Sequence, residues 1–307
     1  MKQFISTFAK FIVCAFIMYC GILFVWGRTL SARFKPNLYY CVAAYGHTFS
    51  RLKEVKTKKN IDILFLGSSH AYRGFDTRIF EKSGYETFNL GSSAQTPMQT
   101  KILLKRYLEK LKPKLIIYEV YPATFSIDGV ESALDIISND YNDLGSAKMA
   151  LELNNIKIYN TFLYGTYIDF IDLNANYKEQ RRKKYDNYIP GGFVERDMKI
   201  TKIKTYNQSE WVFKENQLLH FEEIISYLKS EKIEVKLVYA PIPKSKYKSY
   251  VNSKEFDSIM KSQGEYINFN ENPFLNDSLH YYDNDHLNQE GVTIFNQKLI
   301  ELLKSKK

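Results

Sequence analysis

Beyond residue 41 the 307-residue chain contains no cysteine, and its three, Cys14, Cys20 and Cys41, lie in or just after the first apolar stretch. A disulfide framework and a cysteine-based metal site are therefore excluded from the remainder. The absence suits an extracytoplasmic protein that avoids thiols and a cytosolic one equally well. Internal repeats are also lacking, as is any nucleic-acid-binding motif. The formal charge of +9 would suit an anionic partner. The lysines, however, are scattered among Asn, Ile, Tyr and Phe, and the one dense run, Lys53 to Lys59, sits in a linker. No nucleic acid partner is expected. Histidines number only five, and His47, His220 and His280 show no metal-ligand spacing, so neither a metal nor another cofactor is expected. Tryptophan is scarce at two, whereas Tyr and Phe reach 24 and 21. Core packing accounts for most of these rings, and exposed ones would suit sugar faces or a membrane interface.

What stands out first among the features present is a charge-free run from Phe11 to Trp26. As a helix rising about 1.5 Å per residue it falls slightly short of a bilayer core, but Phe4 to Ala9 extend it to sufficient length if Lys10 snorkels. A membrane anchor over residues 1–28 is preferred to a cleaved signal peptide. Leu30 occupies the third position before a cut after Ala32, and Tyr19 is too bulky to precede a lipidated Cys20. Lys2, Lys10 and the amino terminus nearly balance Arg28, Arg33 and Lys35, so charge alone does not orient the span. Residues 29–59 contain Pro36 and no clear strand, and read as a juxtamembrane helix or stalk.

From residue 60 to 307 the pattern is one α/β domain. Strands are expected at Ile61–Leu66, Thr87–Leu90, Lys114–Val120, Val235–Ala240 and Tyr266–Phe269, alternating with helices. Asp76 should cap a short helix that Gly84 ends, and Thr96 caps another with Pro97 at its first position. A helix is expected around Asn216 to Lys232. Asn288 caps the last helix, whose Val292, Phe295, Leu299, Leu302 and Leu303 recur on one face. This alternation predicts a three-layer α/β/α sandwich with a mostly parallel, flavodoxin-like sheet behind one N-terminal transmembrane helix. Residues from about 125 to 215, polar and rich in Asn and Tyr and including Pro190-Gly191-Gly192-Phe193, break the rhythm and read as an insertion carrying helices and a flexible loop.

Ligands bind at the carboxyl ends of strands in open parallel sheets. Gly67-Ser68-Ser69-His70 follows the first strand and Gly91 the second, while Tyr121 follows the third; Asp283 and His286 lie three residues apart near the chain's end. A serine hydroxyl is a poor nucleophile without a base. His286 could take the Ser69 proton while Asp283 fixes its tautomer, and the Ser69 and Gly91 amides could donate to an oxyanion, each worth roughly 3 kcal/mol when preorganised. Asp285 reads as solvated or as a local cap. His70 either lines the pocket or bonds elsewhere, and Arg73 either binds an anionic substrate group or forms a surface ion pair.

With these three blocks in order, the chain resembles the SGNH hydrolase superfamily, also called GDSL-like. The resemblance covers residues 61 to 305 and rests on Gly67-Ser68-Ser69, on Asn89-Leu90-Gly91, and on Asp283 with His286. It implies Ser69 as nucleophile, His286 as base, Asp283 as its orienting partner, and the Ser69 and Gly91 amides as oxyanion donors. The family's third block places an Asn after the third strand, where this chain has Glu119-Val120-Tyr121-Pro122. Gln95 or the Tyr121 hydroxyl would have to substitute.

With its anchor, the chain looks like a shorter relative of the membrane-tethered cell-envelope acyl-transfer proteins of teichoic acids and alginate. That similarity implies a serine esterase or O-acyltransferase acting on O-acyl groups, acetyl above all, of an envelope polysaccharide. It places the domain outside the cytoplasmic (inner) membrane, with a membrane-bound O-acyltransferase as a possible partner. The alternative is a catalytically inactive glycan-binding or scaffold member of the same fold in an envelope acylation complex.

Overall fold

A computed structural model describes residues 1–198 and 205–305; the expected insertion extends over 199–204, which lie outside the described residues. The chain divides into two compact units. The first comprises Met1–Val42 and Ala133–Tyr177, the second Ala43–Ser132 and Lys178–Lys307.

The second unit is built on five strands, β1 (Ile63–Leu66), β2 (Thr87–Asn89), β3 (Leu115–Glu119), β7 (Glu234–Tyr239) and β8 (Glu265–Asn268). They pair in the order β2-β1-β3-β7-β8, and every pairing is parallel. All four residues of β1 are buried, as a strand covered on both faces requires. Alternation sends Ile63, Phe65, Ile117 and Val238 to one side, where they pack with Phe75, Phe80, Phe295 and Leu299. On the other side Tyr118 meets Phe221 of the helix Glu215–Ser230, which packs on the helix Pro97–Leu111. The sheet is thus flanked by helices on both faces, as the strand and helix alternation predicted. Each such buried Leu or Phe contributes about 1.5–3 kcal/mol.

The short strands β4 (Arg182–Lys183), β5 (Asp186–Ile189) and β6 (Phe193–Arg196) form a separate antiparallel sheet in the same unit. The Pro190–Phe193 stretch of the expected insertion is a tight turn to which the Asn89 amide donates, reaching the Gly191 carbonyl at 2.7 Å. Gly191 and Gly192 both hold φ at +93°, a region open to glycine and costly for other residues.

The expected stalk is divided between the units after Val42. In the second unit the helix Thr48–Val55 buries Arg51, Leu52 and Val55, and Arg51 Nε donates to the Gly192 carbonyl at 2.9 Å. The expected insertion is likewise divided, with Ala133–Tyr177 in the first unit.

That first unit contains the helix Lys2–Thr29, long and apolar enough to cross a membrane. Its 28 residues extend about 42 Å, more than the roughly 30 Å of a hydrocarbon core. Toward its carboxyl end Leu23 and Phe24 pack with Tyr164 and Ile168 of the helix Ile156–Phe170. Gly27 permits the contact, since a Cβ there would stand 2.4 Å from the Tyr164 ring. Leu144, Leu151 and Phe170 of this unit remain exposed, Phe170 to 87%.

Candidate active site

β1 ends at Leu66, and the chain turns through Gly67 with φ at +130°. Ser68 caps the next helix, Ser69–Gly74, by accepting from the His70 amide at 3.2 Å. Ser69 is therefore presented at the first helical position, half-buried between the buried Ser68 and His70. No acceptor for the Ser69 amide is found among the described residues.

The loop from Tyr281 to Leu287 brings the second block to the same place. An isolated bridge joins its ends, the Tyr282 amide donates to the His286 carbonyl at 3.1 Å, and the Asn288 amide donates to the His280 carbonyl at 2.9 Å. Within it, Asp283 Oδ1 accepts the amides of Asp285 and His286, both at 2.8 Å. A carboxylate that caps its own turn in this way also holds the imidazole three residues on. His286 Nδ1 lies 3.0 Å from Asp283 Oδ2, and His286 Nε2 lies 2.8 Å from Ser69 Oγ. With the proton on Nδ1 donated to Asp283, Nε2 accepts from the Ser69 hydroxyl. Burial is the largest influence on Asp283 and works upward. The His286 ring and the two loop amides outweigh it and hold the carboxyl well below its ordinary value.

Rings wall the site on two sides. Tyr282 stacks on His286 at 5.6 Å with planes 7° apart. Arg196 stands over Tyr282 at 5.0 Å, and Arg73 reaches the same ring at 6.0 Å. On the other side the His70 ring stacks against His286 at 4.8 Å, and Tyr121 lies 4.1 Å from His70. Burial, reinforced by His286, pushes His70 down to about 3, so it is a neutral ring.

Other expected donors are occupied. The Gly91 amide donates to Asn89 Oδ1 at 3.1 Å. Glycine is required there for a different reason: an added carbon would meet Ser68 O at 2.9 Å and Gly67 O at 3.0 Å, so the two turns could not approach. Gln95 turns inward and donates to Thr100 Oγ1 at 2.9 Å. The Tyr121 hydroxyl reaches the site edge but donates to Asp285 Oδ1 at 3.0 Å. Arg73 is buried in a two-pronged pair with Asp186, both contacts at 2.9 Å, and offers no free charge to an anionic substrate.

Asp285 is not the solvated residue expected. Its carboxylate takes Tyr121 and pairs with Lys246, while its carbonyl faces His70 Nε2 at 3.2 Å. Glu119, Tyr282 and Lys246 were not singled out by the sequence. Only Glu119 had a signal, an acidic residue closing an otherwise apolar strand that should be covered on both faces.

No family model and no curated protein matches the chain. Among solved structures, a GDSL-like lipase from Bacteroides thetaiotaomicron is 10% identical with a TM-score of 0.43, over 85% of this chain and 99% of that one. An acetyl xylan esterase is 12% identical with a TM-score of 0.42, over 79% of this chain and 99% of that one. Likeness of that degree decides nothing about chemistry, which rests on the geometry of Ser69, His286 and Asp283.

Proposed function

We propose that the chain is a serine esterase or O-acyltransferase that works through an acyl-enzyme on Ser69. The carrying observation is the 2.8 Å contact of Ser69 Oγ with His286 Nε2, backed by Asp283 at 3.0 Å. His286 takes the hydroxyl proton as Ser69 attacks an ester carbonyl, and Asp283 stabilises the imidazolium. The Ser69 amide donates to the developing oxyanion. Collapse returns the proton from His286 to the departing alcohol and leaves the acyl group on Ser69. Water, or a second hydroxyl, then gives its proton to His286 and attacks the ester, releasing Ser69.

The substrate is an O-acyl group, acetyl above all, on a cell-envelope polysaccharide. The reading is supported by the resemblance at Gly67–Ser69, Gly91 and Asp283–His286 and by the apolar helix Lys2–Thr29. The helix would anchor the chain once in the cytoplasmic membrane with the Ser69 unit outside, where a membrane-bound O-acyltransferase would be its partner. Retention in the membrane pellet through alkaline carbonate extraction supports the anchor, and release into the supernatant removes it.

A fluorophosphonate probe tests the chemistry. Labelling of the intact protein that is lost in Ser69→Ala and His286→Ala supports the enzyme. One observation favours a second reading, a catalytically silent glycan-binding or scaffold member. With Gly91 engaged by Asn89 and Gln95 by Thr100, the Ser69 amide is left alone among the expected backbone and amide donors. Glycan binding without labelling selects that reading.

A further inference from the structure

Beneath the reactive turn lies a second chain of polar groups that the acyl-enzyme reading leaves without a role. Glu119, the last residue of β3, is only 2% exposed. One oxygen, Oε2, accepts the Ser68 amide at 3.1 Å and lies 2.9 Å from Ser68 Oγ, while Oε1 is buried with no hydrogen-bond partner among the described residues. Gly67 makes room for it, since an added carbon would stand 2.7 Å from Oε2. Ser68 Oγ lies 3.4 Å from His70 Nδ1, and His70 Nε2 lies 3.2 Å from the Asp285 carbonyl. Among the described residues no cation pairs with Glu119. Its titratable neighbours are Tyr118 on its own strand, Tyr239 on β7, and His70 across Ser68. Burial holds both phenols above their ordinary value and His70 below its own, so all three are uncharged near neutrality.

Burial and the want of a partner charge bear on where the protons stand, because an unpaired carboxylate is costly to bury. A carbonyl only accepts, so His70 Nε2 carries the ring proton and Nδ1 offers a lone pair. A neutral Glu119 has Ser68 Oγ at 2.9 Å as the acceptor for its proton, which leaves the single hydroxyl proton of Ser68 to His70 Nδ1 at 3.4 Å, whereas an ionised Glu119 would take that proton itself. We propose that Glu119 is held as a neutral carboxylic acid donating to Ser68, that Ser68 donates to His70, and that His70 grips the Asp285 carbonyl, so positioning the Asp283/His286 loop against Ser69. Glu119 and His70 are positioning residues in this scheme. Ionisation of Glu119 turns the Ser68 hydroxyl away from His70 and places an uncompensated negative charge beneath the turn where an oxyanion must form. Burial lifts the Glu119 carboxyl to about 7 against the pull of the Ser68 amide and hydroxyl, which puts that change within ordinary conditions.

The effect on rate rests on the proposed Ser69 chemistry, whereas the proton count does not, and two measurements on the full-length protein separate them. At about pH 5.5, the infrared spectrum of the wild type minus that of Glu119→Gln should contain the C=O stretch of a buried carboxylic acid; an ionised carboxylate has no such band. Its absence overturns the proposal whether or not the protein is an enzyme. Should Glu119→Gln fail to fold, Ser68→Ala serves, because loss of the acceptor should shift the same band. Fluorophosphonate labelling of Ser69 should slow by roughly tenfold per pH unit above about pH 7 in the wild type and stay flat in Glu119→Gln. His70→Ala should label more slowly at every pH. A descending limb that survives in Glu119→Gln overturns the positioning role, and an infrared band without any labelling removes the acyl-enzyme reading while leaving the Glu119 assignment standing.

Discussion

Two adjacent serines of one turn lead into two histidine–carboxylate chains whose chemistry burial separates. Ser69, His286 and Asp283 line up at the surface of the second unit, with His286 half-buried and its proton path open to a substrate. Ser68, His70 and Glu119 line up beneath it, almost sealed from water. The outer carboxylate accepts two loop amides and an imidazole and is held ionised; among the described residues the inner one has only Ser68 and an orphaned oxygen. On the two readings proposed above, a serine, a histidine and a carboxylate therefore give a reactive chain where the charge is solvated by hydrogen bonds, and a positioning chain where it is not.

The comparison breaks most visibly at the two serines. Ser69→Ala should abolish fluorophosphonate labelling and lower any ester hydrolysis by 10⁴-fold or more as an order of magnitude, whereas Ser68→Ala should leave a labelled protein. Equal losses would remove the distinction. Asp283→Asn keeps an oxygen for the two loop amides but loses the charge behind His286. A fall in kcat of roughly 10³–10⁴-fold with little change in melting temperature is expected, and steady-state kinetics with a thermal melt checks both.

Gly67→Ala strikes both chains at once. It combines a backbone conformation unsuited to alanine with a carbon 2.7 Å from Glu119. A loss of about 3 kcal/mol in denaturant unfolding of the second unit is expected. The pH dependence of stability sharpens the contrast further. Because the folded-state value of Glu119 is raised from 4.5 to about 7, its contribution is fully present below about 4.5 and is lost as pH rises through about 7. The melting temperature of the wild type should fall relative to Glu119→Gln across that window and run parallel to it above. The smallest effect is expected from Tyr121→Phe. If its hydroxyl serves Asp285, about 1 kcal/mol of stability and a few-fold in rate are lost, while a drop of about 10²-fold in kcat would make Tyr121 an oxyanion donor instead.

Much of this was legible in the residues. The apolar bodies of β1, β3 and β7 and the caps at Asp76, Thr96 and Asn288 marked the parallel sheet and its helices, because both signals are local. Asp283 and His286 were readable as a pair for the same reason, since the turn that joins them is capped by the aspartate itself. Gly91 was readable as necessary and not for its reason: close approach of two turns is a tertiary demand. The Pro190–Phe193 stretch carries the composition of a free loop, and it is pinned by partners distant in sequence, Asn89, Glu54, Thr77 and Arg51. Arg73 showed no partner because Asp186 lies 113 positions away on β5, which only the fold brings to the helix Ser69–Gly74. Tyr282 and Lys246 had no periodic or motif signal of any kind.

By itself the order of residues determined a strand that runs into a glycine turn, an aspartate and a histidine within one loop, and an apolar helix long enough for a bilayer. Each of these depends on neighbours a few positions away, where propensity and hydrogen-bond geometry act. Tertiary structure alone decided that Ser69 and His286, 217 positions apart, come within 2.8 Å, that Glu119 lies buried under Gly67, and that its carboxyl meets no cation among the described residues. Charge state depends on burial and on what stands opposite, and both come into being only when distant segments pack.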